Sequence, residues 1–262
     1  MDHSLSPRIH NYWLNKYGID GTYISLPIKP EDMEPTLRTL PTRGFSGINI
    51  TVPHKEKVLA LVDHLEPLAR QIGAVNTVLV RADGSLEGRN TDVYGFTQNL
   101  LTAGFKPNDR PAVLLGAGGA ARAGIAGLID MGMTTIFIVN RTTERAEILA
   151  KVFPKAKISI HGWKDTAALK EAALLVNATS LGMQGQPELD LSLDNLPRDA
   201  WVNDMVYAPL VTPLLKRAAD RDHRTVDGLG MLLHQARPAF AAFFGVEPEV
   251  TDDLRRHVLS KD

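Results

Sequence analysis

The sequence predicts an α/β protein of two domains, the second a doubly wound parallel sheet. Three observations predict it. From Ala112 onward the apolar strand-like runs AVLL, TTIFIVN, KISIHG, ALLVNAT and AWVNDMVY alternate with helical segments expected to run 10 or so residues, such as TERAEILAKVF. That is the order a parallel sheet of βαβ units requires. The stretch VLLGAGGAAR passes from an apolar strand through three glycines into a helix. Near Asp92 the texture changes: DVYGFTQNLLTAG reads as a linking helix and Lys106 to Pro111 as a polar, Pro-containing connector. The domains are therefore expected at 1–95, completed by helices at 235–262, and at 96–234.

The bulk numbers agree with a soluble, cytoplasmic globule. The chain has 262 residues, 44% of them apolar and 23% charged, with a formal net charge of −1. Such a balance favours neither nucleic acid nor an anionic membrane as partner. No run of about 18 apolar residues suggests a membrane span. Cysteine is absent, so disulfides, thiolate catalysis and Cys-based metal sites are excluded. The eight histidines fall in separate elements without ligand spacing, so no metal is expected.

In the first half, Ser6-Pro7 predicts a helix start with Ser6 as N-cap and Pro7 at the first helical position. Ile9, Tyr12, Trp13 and Leu14 give this helix an apolar face, and Gly18 lies just past its end. TYISLPI, from Thr22 to Ile28, reads as a strand, Pro30 to Leu40 as a helix, and GINITV as a second strand. HKEKVLALVDHL reads as helical up to Pro67, and LARQIGA as a further helix. NTVLVRADGSLEGRNTD is a strand, an Asp83-Gly84 turn and a return strand. The C-terminal LLHQARPAFAAFFGV and EVTDDLRRHVLS are helical again.

In the second half, Gly116, Gly118 and Ala121 fit the G-x-G-x-x-G/A spacing of a Rossmann-type dinucleotide site. The first glycine permits a tight turn and the second lets backbone approach a pyrophosphate. The helix N-terminus then favours the phosphates. The next strand tip reads TTIFIVNRTTER. No carboxylate stands there for ribose hydroxyls, whereas Asn140, Arg141, Thr142 and Arg145 suit a 2′-phosphate, which predicts NADP rather than NAD. Thr142 or Thr143 also suits a plain helix cap.

Elsewhere, Asn49 and Thr51 are two apart and share a sheet face, and Lys55 falls in the first turn of the following helix. An ordinary solvated lysine is the alternative there. Asn76 opens a strand, and Arg89-Asn90-Thr91-Asp92 precedes the linking helix, where Asn90 or Asp92 equally suits an N-cap.

Taken in order, HSLSP, NITVPHKE, AVNT, NTDVYGF, GAGGAAR, NRTTERA, NATSLGM, NDMVY and DGLGMLLHQA resemble the shikimate dehydrogenase family over residues 2 to about 246. The resemblance implies an N-terminal α/β substrate domain plus a Rossmann-type NADP domain. It implies NADPH-dependent reduction of 3-dehydroshikimate to shikimate in aromatic amino-acid biosynthesis, with these small molecules as partners and a monomer or homodimer as assembly. By the same resemblance Lys55 is the general acid/base and Asp92 its partner, sharing a substrate hydroxyl. Thr51, Asn76 and Gln235 hold ring hydroxyls, and Ser4, Ser6 and Tyr207 hold the substrate carboxylate. Gly116, Ala117, Gly118, Gly119 and Ala120 form the pyrophosphate loop, while Thr179, Met205 and Gly228 line the nicotinamide end. Met205 suits simple core packing equally well. Two other readings stand beside this one: a quinate/shikimate dehydrogenase of relaxed substrate or NAD use, and a non-catalytic NADP-binding protein of the same fold.

The sequence departs from the family pattern at two places. Val93 follows NTD where many members have Gly. The short strand ending in Gly-x-Pro-Ile that usually precedes the His-Ser-x-Ser-Pro motif has no counterpart ahead of Met1-Asp2, which predicts a functional form beginning about ten residues upstream, one strand length and a turn.

Overall fold

The alternation of apolar strands and helices in the second half builds a six-stranded sheet that is parallel throughout. In the computed structural model, which describes residues 4–51, 53–163 and 165–260, the chain divides into two units. One comprises Met1–Thr91 with Leu232–Asp262, the other Asp92–Met231.

The first unit holds helices α1 (Ser6–Tyr17) and α2 (Met33–Thr39) and strands β1 (Gly47–Asn49) and β2 (His64–Leu65). Helix α3 (Pro67–Ile72) and strands β3 (Thr77–Val80) and β4 (Leu86–Arg89) follow. The sheet order is β1-β3-β4-β2. β3 and β4 form the expected antiparallel hairpin, with Val80 opposite Leu86. One apolar layer beneath it buries Met33, Leu37, Leu40, Val58, Val78 and Leu86. A second cluster packs Trp13 edge-on against Phe240, ring centroids 5.4 Å apart, and the Trp13 indole N–H donates to the Glu249 carbonyl at 3.1 Å. Burying an aromatic pair in this way adds about 0.5–1.5 kcal/mol beyond the area it removes from water.

Four expectations for this unit are corrected. Ser6 is the first helical residue rather than the cap; Leu5 takes the cap position without a side-chain bond, and Ser4 Oγ accepts the Ser6 N–H at 3.4 Å. TYISLPI forms no strand among the described residues. The Asn11 carboxamide donates to the Tyr23 carbonyl and accepts the Tyr23 N–H, both at 2.9 Å, so one side chain satisfies what a neighbouring strand would otherwise take. HKEKVLALVDHL is not an α-helix: a turn at Lys55 leads into a single 3₁₀ stretch, Lys57–Ala60. The chain is then drawn into β2, parallel to β4, and Asp63 accepts the Leu86 N–H at 2.8 Å. Sheet pairing here outweighs helix propensity, which is a weak prior. Finally, β1 ends at Asn49, so Thr51 lies beyond the strand rather than on its face. Met1–His3, where the upstream expectation falls, lie outside the described residues.

The second unit begins with α4 (Asp92–Thr102), whose first turn buries Val93. Then come β5 (Ala112–Leu115), α5 (Gly119–Asp130), β6 (Thr135–Asn140), α6 (Thr143–Val152) and β7 (Lys157–Gly162). β8 (Leu174–Asn177), β9 (Trp201–Asp204), α7 (Pro213–Ala219) and β10 (Arg224–Val226) complete the sheet. Its order is β10-β9-β8-β5-β6-β7. β5 and β8 are buried at every position, as the central strands of a parallel sheet covered on both faces must be. Two connections expected as helices are not helical: the β7–β8 crossing has only the 3₁₀ stretch Thr166–Leu169, and none of residues 178–200 is helical. The second crossing instead buries Leu189, Leu191, Leu193 and Leu196 against the sheet, so irregular backbone covers the face a helix would have covered. Helix α8 (Gly228–Phe244) starts in this unit and ends in the first, followed by α9 (Asp252–Leu259).

Candidate active site

In the first unit the strand ends and α8 meet in a connected polar network. The Tyr23 hydroxyl donates to Asn49 Oδ1 at 2.8 Å, and Asn49 Nδ2 donates to Thr77 Oγ1 at 3.0 Å. Thr77 Oγ1 donates to Asn76 Oδ1 at 3.1 Å, which also accepts the Thr91 N–H at 2.8 Å. Asn76 Nδ2 donates to Thr91 Oγ1 at 2.9 Å and to Gln235 Oε1 at 3.3 Å. Asn76 and Gln235, 159 residues apart in sequence, are thus neighbours, as their shared expected role requires. A buried network of this kind fixes orientation because each unpaired member would cost about 1–3 kcal/mol. Tyr23, Thr77 and Thr91 are the members to which the sequence reading gave no role, and Asn49 is one that it singled out only as sharing a face with Thr51.

Ser6 is half-buried and Ser4 exposed, while Lys55 is half-buried in its turn beside exposed Thr51. The Lys55 carbonyl accepts the Val75 N–H at 2.9 Å, which ties that turn to the strand carrying Asn76. Asn90 Nδ2 donates to the Ala74 carbonyl at 3.0 Å. Asp92, the next residue after Thr91, opens α4 and is buried at 5% exposure.

The second unit places its polar residues at the C-terminal ends of the parallel strands. β5 is followed in sequence by β6 on one side and flanked by β8 on the other, so the sheet reverses its order between β5 and β8. Ligands of open α/β sheets bind at such a point. Gly116 stands there with φ +105°, a conformation that a side chain strains. A Cβ on Gly116 would lie 2.9 Å from Thr179 Cγ2. Gly118 precedes α5 in extended conformation, and a Cβ there would meet open space. Gly116 thus turns the chain, its own N–H donating to the Val139 carbonyl at 2.9 Å, while the backbone at Gly118 is open at a helix start, which is what a pyrophosphate needs.

At the β6 tip, Asn140 Nδ2 donates to the Thr142 carbonyl at 2.7 Å. Thr142 precedes α6 without a side-chain cap bond, so its hydroxyl is not used to close the helix. Arg141 and Arg145 are exposed and make no ion pair among the described residues. A cluster of two unpaired guanidiniums and a free hydroxyl fits a phosphate monoester better than it fits a bare ribose.

At the ends of β8 and β9, Met205 and Gly228 come together: a Cβ on Gly228 would lie 2.4 Å from the Met205 carbonyl oxygen. Only glycine fits that approach. Thr179 Oγ1 donates to Asn177 Oδ1 at 2.7 Å and accepts the Leu181 N–H at 3.1 Å, so it is the Thr179 methyl that faces Gly116. Tyr207 is half-buried, and burial raises its phenol above the usual value, which keeps it a proton donor.

A glycine at the switch point, an open helix start and a phosphate-ready strand tip define a dinucleotide-binding α/β protein with a separate polar-network unit. The family described as "Shikimate dehydrogenase substrate binding domain" matches residues 1–78, and that described as "Shikimate / quinate 5-dehydrogenase" matches residues 100–183. A protein of Paramagnetospirillum magneticum named shikimate dehydrogenase (NADP(+)) is 54% identical over 263 residues, covering 99% of this chain and 95% of that one. The solved shikimate 5-dehydrogenase of Thermus thermophilus, in complex with NADP(H) and shikimate, superposes with a TM-score of 0.88 at 36% identity, over 98% of this chain and 94% of that one. The quinate dehydrogenase of Corynebacterium glutamicum, in complex with NAD, gives 0.90 at 33% identity, over 98% and 95%. The chain belongs to the shikimate dehydrogenase family.

Proposed function

We propose that the protein is an NADP-dependent shikimate dehydrogenase, reversibly reducing 3-dehydroshikimate to shikimate for aromatic amino-acid biosynthesis. The observation that carries the reading is full-length likeness to proteins of that name, combined with a β6 tip that holds two unpaired arginines and no carboxylate. Residues 1–95 with 235–262 take the substrate, and 96–234 take NADP. Its partners are small molecules, and it acts in the cytoplasm as a monomer or homodimer.

NADPH, when bound, supplies the hydride. The loop of Gly116, Ala117, Gly118, Gly119 and Ala120 holds its pyrophosphate, Gly116 through the turn it permits because its N–H donates to the Val139 carbonyl, and Asn140, Arg141, Thr142 and Arg145 hold the 2′-phosphate. Thr179, Met205 and Gly228 shape the wall for the nicotinamide. Lys55 donates the proton to the substrate ketone oxygen and stabilises the negative charge that grows there, a contribution of about 10²- to 10⁴-fold for a positioned acid. Asp92 keeps the Lys55 amine protonated and oriented. Thr51, Asn76 and Gln235 hold ring hydroxyls, an allocation supported by the network that joins the last two. Ser4, Ser6 and Tyr207 donate to the substrate carboxylate.

Lys55→Ala is expected to lower kcat by at least about 10²-fold while NADPH titrates its fluorescence as in the parent protein. Unchanged kcat would remove Lys55 from the chemistry. The second reading, relaxed use of quinate or NAD, draws on the likeness to the quinate dehydrogenase; the β6 tip speaks against its NAD part.

A further inference from the structure

At the end of β9 a carboxylate is fully buried with no cation paired to it among the described residues. Asp204 stands opposite Asn177 of β8 in the parallel register and is 0% exposed. Its Oδ1 accepts Asn177 Nδ2–H at 2.9 Å and the Val206 N–H at 3.0 Å, and its Oδ2 accepts the Thr212 hydroxyl at 2.6 Å. Each partner then reaches further. Asn177 Oδ1 accepts both the Thr179 hydroxyl at 2.7 Å and the Thr179 N–H at 3.1 Å, and Asn177 Nδ2 also donates to the Leu181 carbonyl at 3.1 Å. Thr212 Oγ1 accepts the Leu215 N–H and so starts α7. One carboxylate thereby ties down the loop after β8, which carries Thr179, and the loop after β9, which carries Met205 and Tyr207.

We infer that Asp204 is a positioning residue for the nicotinamide end of the cofactor, acting through Asn177, Val206 and Thr212 to set the two loops that form its wall. The inference rests on the proposed roles of Thr179 and Met205. A buried ion without a counter-ion is costly, and the donors that offset that cost here come from both loops. Only an ionised carboxylate accepts at all three of its bonds. Its protonated form turns one oxygen into a donor and loses an acceptor, which loosens one of the two loops.

Burial pushes the Asp204 carboxyl up to about 6, against the opposing pull of the bonds from Thr212, Val206 and Asn177. The groups that bond it from β8, the β9 loop and the start of α7 are all neutral, and burial raises the nearby Tyr207 phenol. Toward β10, Asp227 follows Val226, which stands opposite Asn203, and its carboxylate accepts the Leu229 N–H at 3.0 Å at the start of α8; His223 bonds the Ala200 carbonyl at the other end of β9. Acid within the physiological range therefore acts on this junction directly.

The test compares two ligands of the full-length protein. NADPH reaches the nicotinamide wall; adenosine 2′,5′-bisphosphate carries the same 2′-phosphate and stops short of it. In Asp204→Asn, NADPH is expected to bind about tenfold more weakly relative to the bisphosphate, and the KM for NADPH to rise more than kcat falls. As pH falls through about 6, the ratio of the two affinities in the parent protein should drop relative to the same ratio in Asp204→Asn. The 2′-phosphate is common to both ligands, and the 5′-phosphate monoester that only the bisphosphate carries titrates alike against both proteins, so it cancels in that comparison. Thr212→Ser should keep the parent ratio and Thr212→Val lower it, and this pair carries the test if Asp204→Asn does not fold. Equal weakening of both ligands, or an unchanged ratio, would overturn the inference. If the parent protein bound neither ligand, the NADP reading itself would fall, a separable result.

Discussion

At the residue scale, the two exposed guanidiniums of the β6 tip make the sharpest distinction between cofactors. Arg141 and Arg145 are exposed and have no carboxylate partner among the described residues, so a phosphate placed there meets donors that no protein group competes for. Arg141→Ala should weaken NADPH by about 1–3 kcal/mol, the range for a lost charge-assisted bond, with little change for NADH. Fluorescence titration with both cofactors checks it, and equal losses would contradict the 2′-phosphate assignment. This part of the site was legible in sequence because it depends on which residues follow one strand. The Asn177–Asp204–Thr212 junction was not. NATSLGM and NDMVY showed polar residues at two strand tips, but that Asp204 lies opposite Asn177 follows from the parallel register of β8 and β9.

At the element scale, the β5–α5 turn has a geometry that admits little change. Gly116 combines φ +105° with a Cβ position 2.9 Å from Thr179 Cγ2. Gly116→Ala should therefore destabilise the protein, by about 1–2 kcal/mol from the backbone conformation alone, and weaken NADPH as well. A thermal melt with and without NADPH reads both effects; an unshifted melt would show that the turn relaxes freely. Helices and strands with strong local patterns, such as α5, β5 and the β3–β4 hairpin, could be read from the sequence. Lys57–Ala60 could not, since the pull of β2 onto β4 comes from residues more than twenty positions away. Nor could Thr22 to Ile28, where a single distant carboxamide, that of Asn11, replaces strand pairing.

At the scale of the whole molecule, the two units respond to acid in opposite directions. His10 is buried in an aromatic cage, stacked on Tyr23 with centroids 4.1 Å apart, and desolvation lowers it from 6.5 to about 3. The unfolded chain thus binds the proton first, so the stability of the first unit is complete above pH 6.5 and is lost as pH falls toward 3. The slope is about 1.4 kcal/mol per pH unit for one proton. Asp204 in the second unit is raised from 3.8 to about 6; its folded form binds the proton first, so that unit gains stability as pH falls from 6 to 3.8. Hydrogen exchange at neutral and mildly acid pH should show protection dropping in α1 and holding in β8 and β9, and His10→Phe should flatten the first response. Uniform loss across both units would contradict it. The central claim concerns the reaction, and the most direct measurement is the initial rate of nicotinamide reduction with shikimate or quinate crossed with NADP or NAD. The account predicts turnover with shikimate and NADP far above the other three combinations. Equal rates with NAD and NADP would contradict the reading of the β6 tip, and no turnover with shikimate and either cofactor would contradict the proposed function.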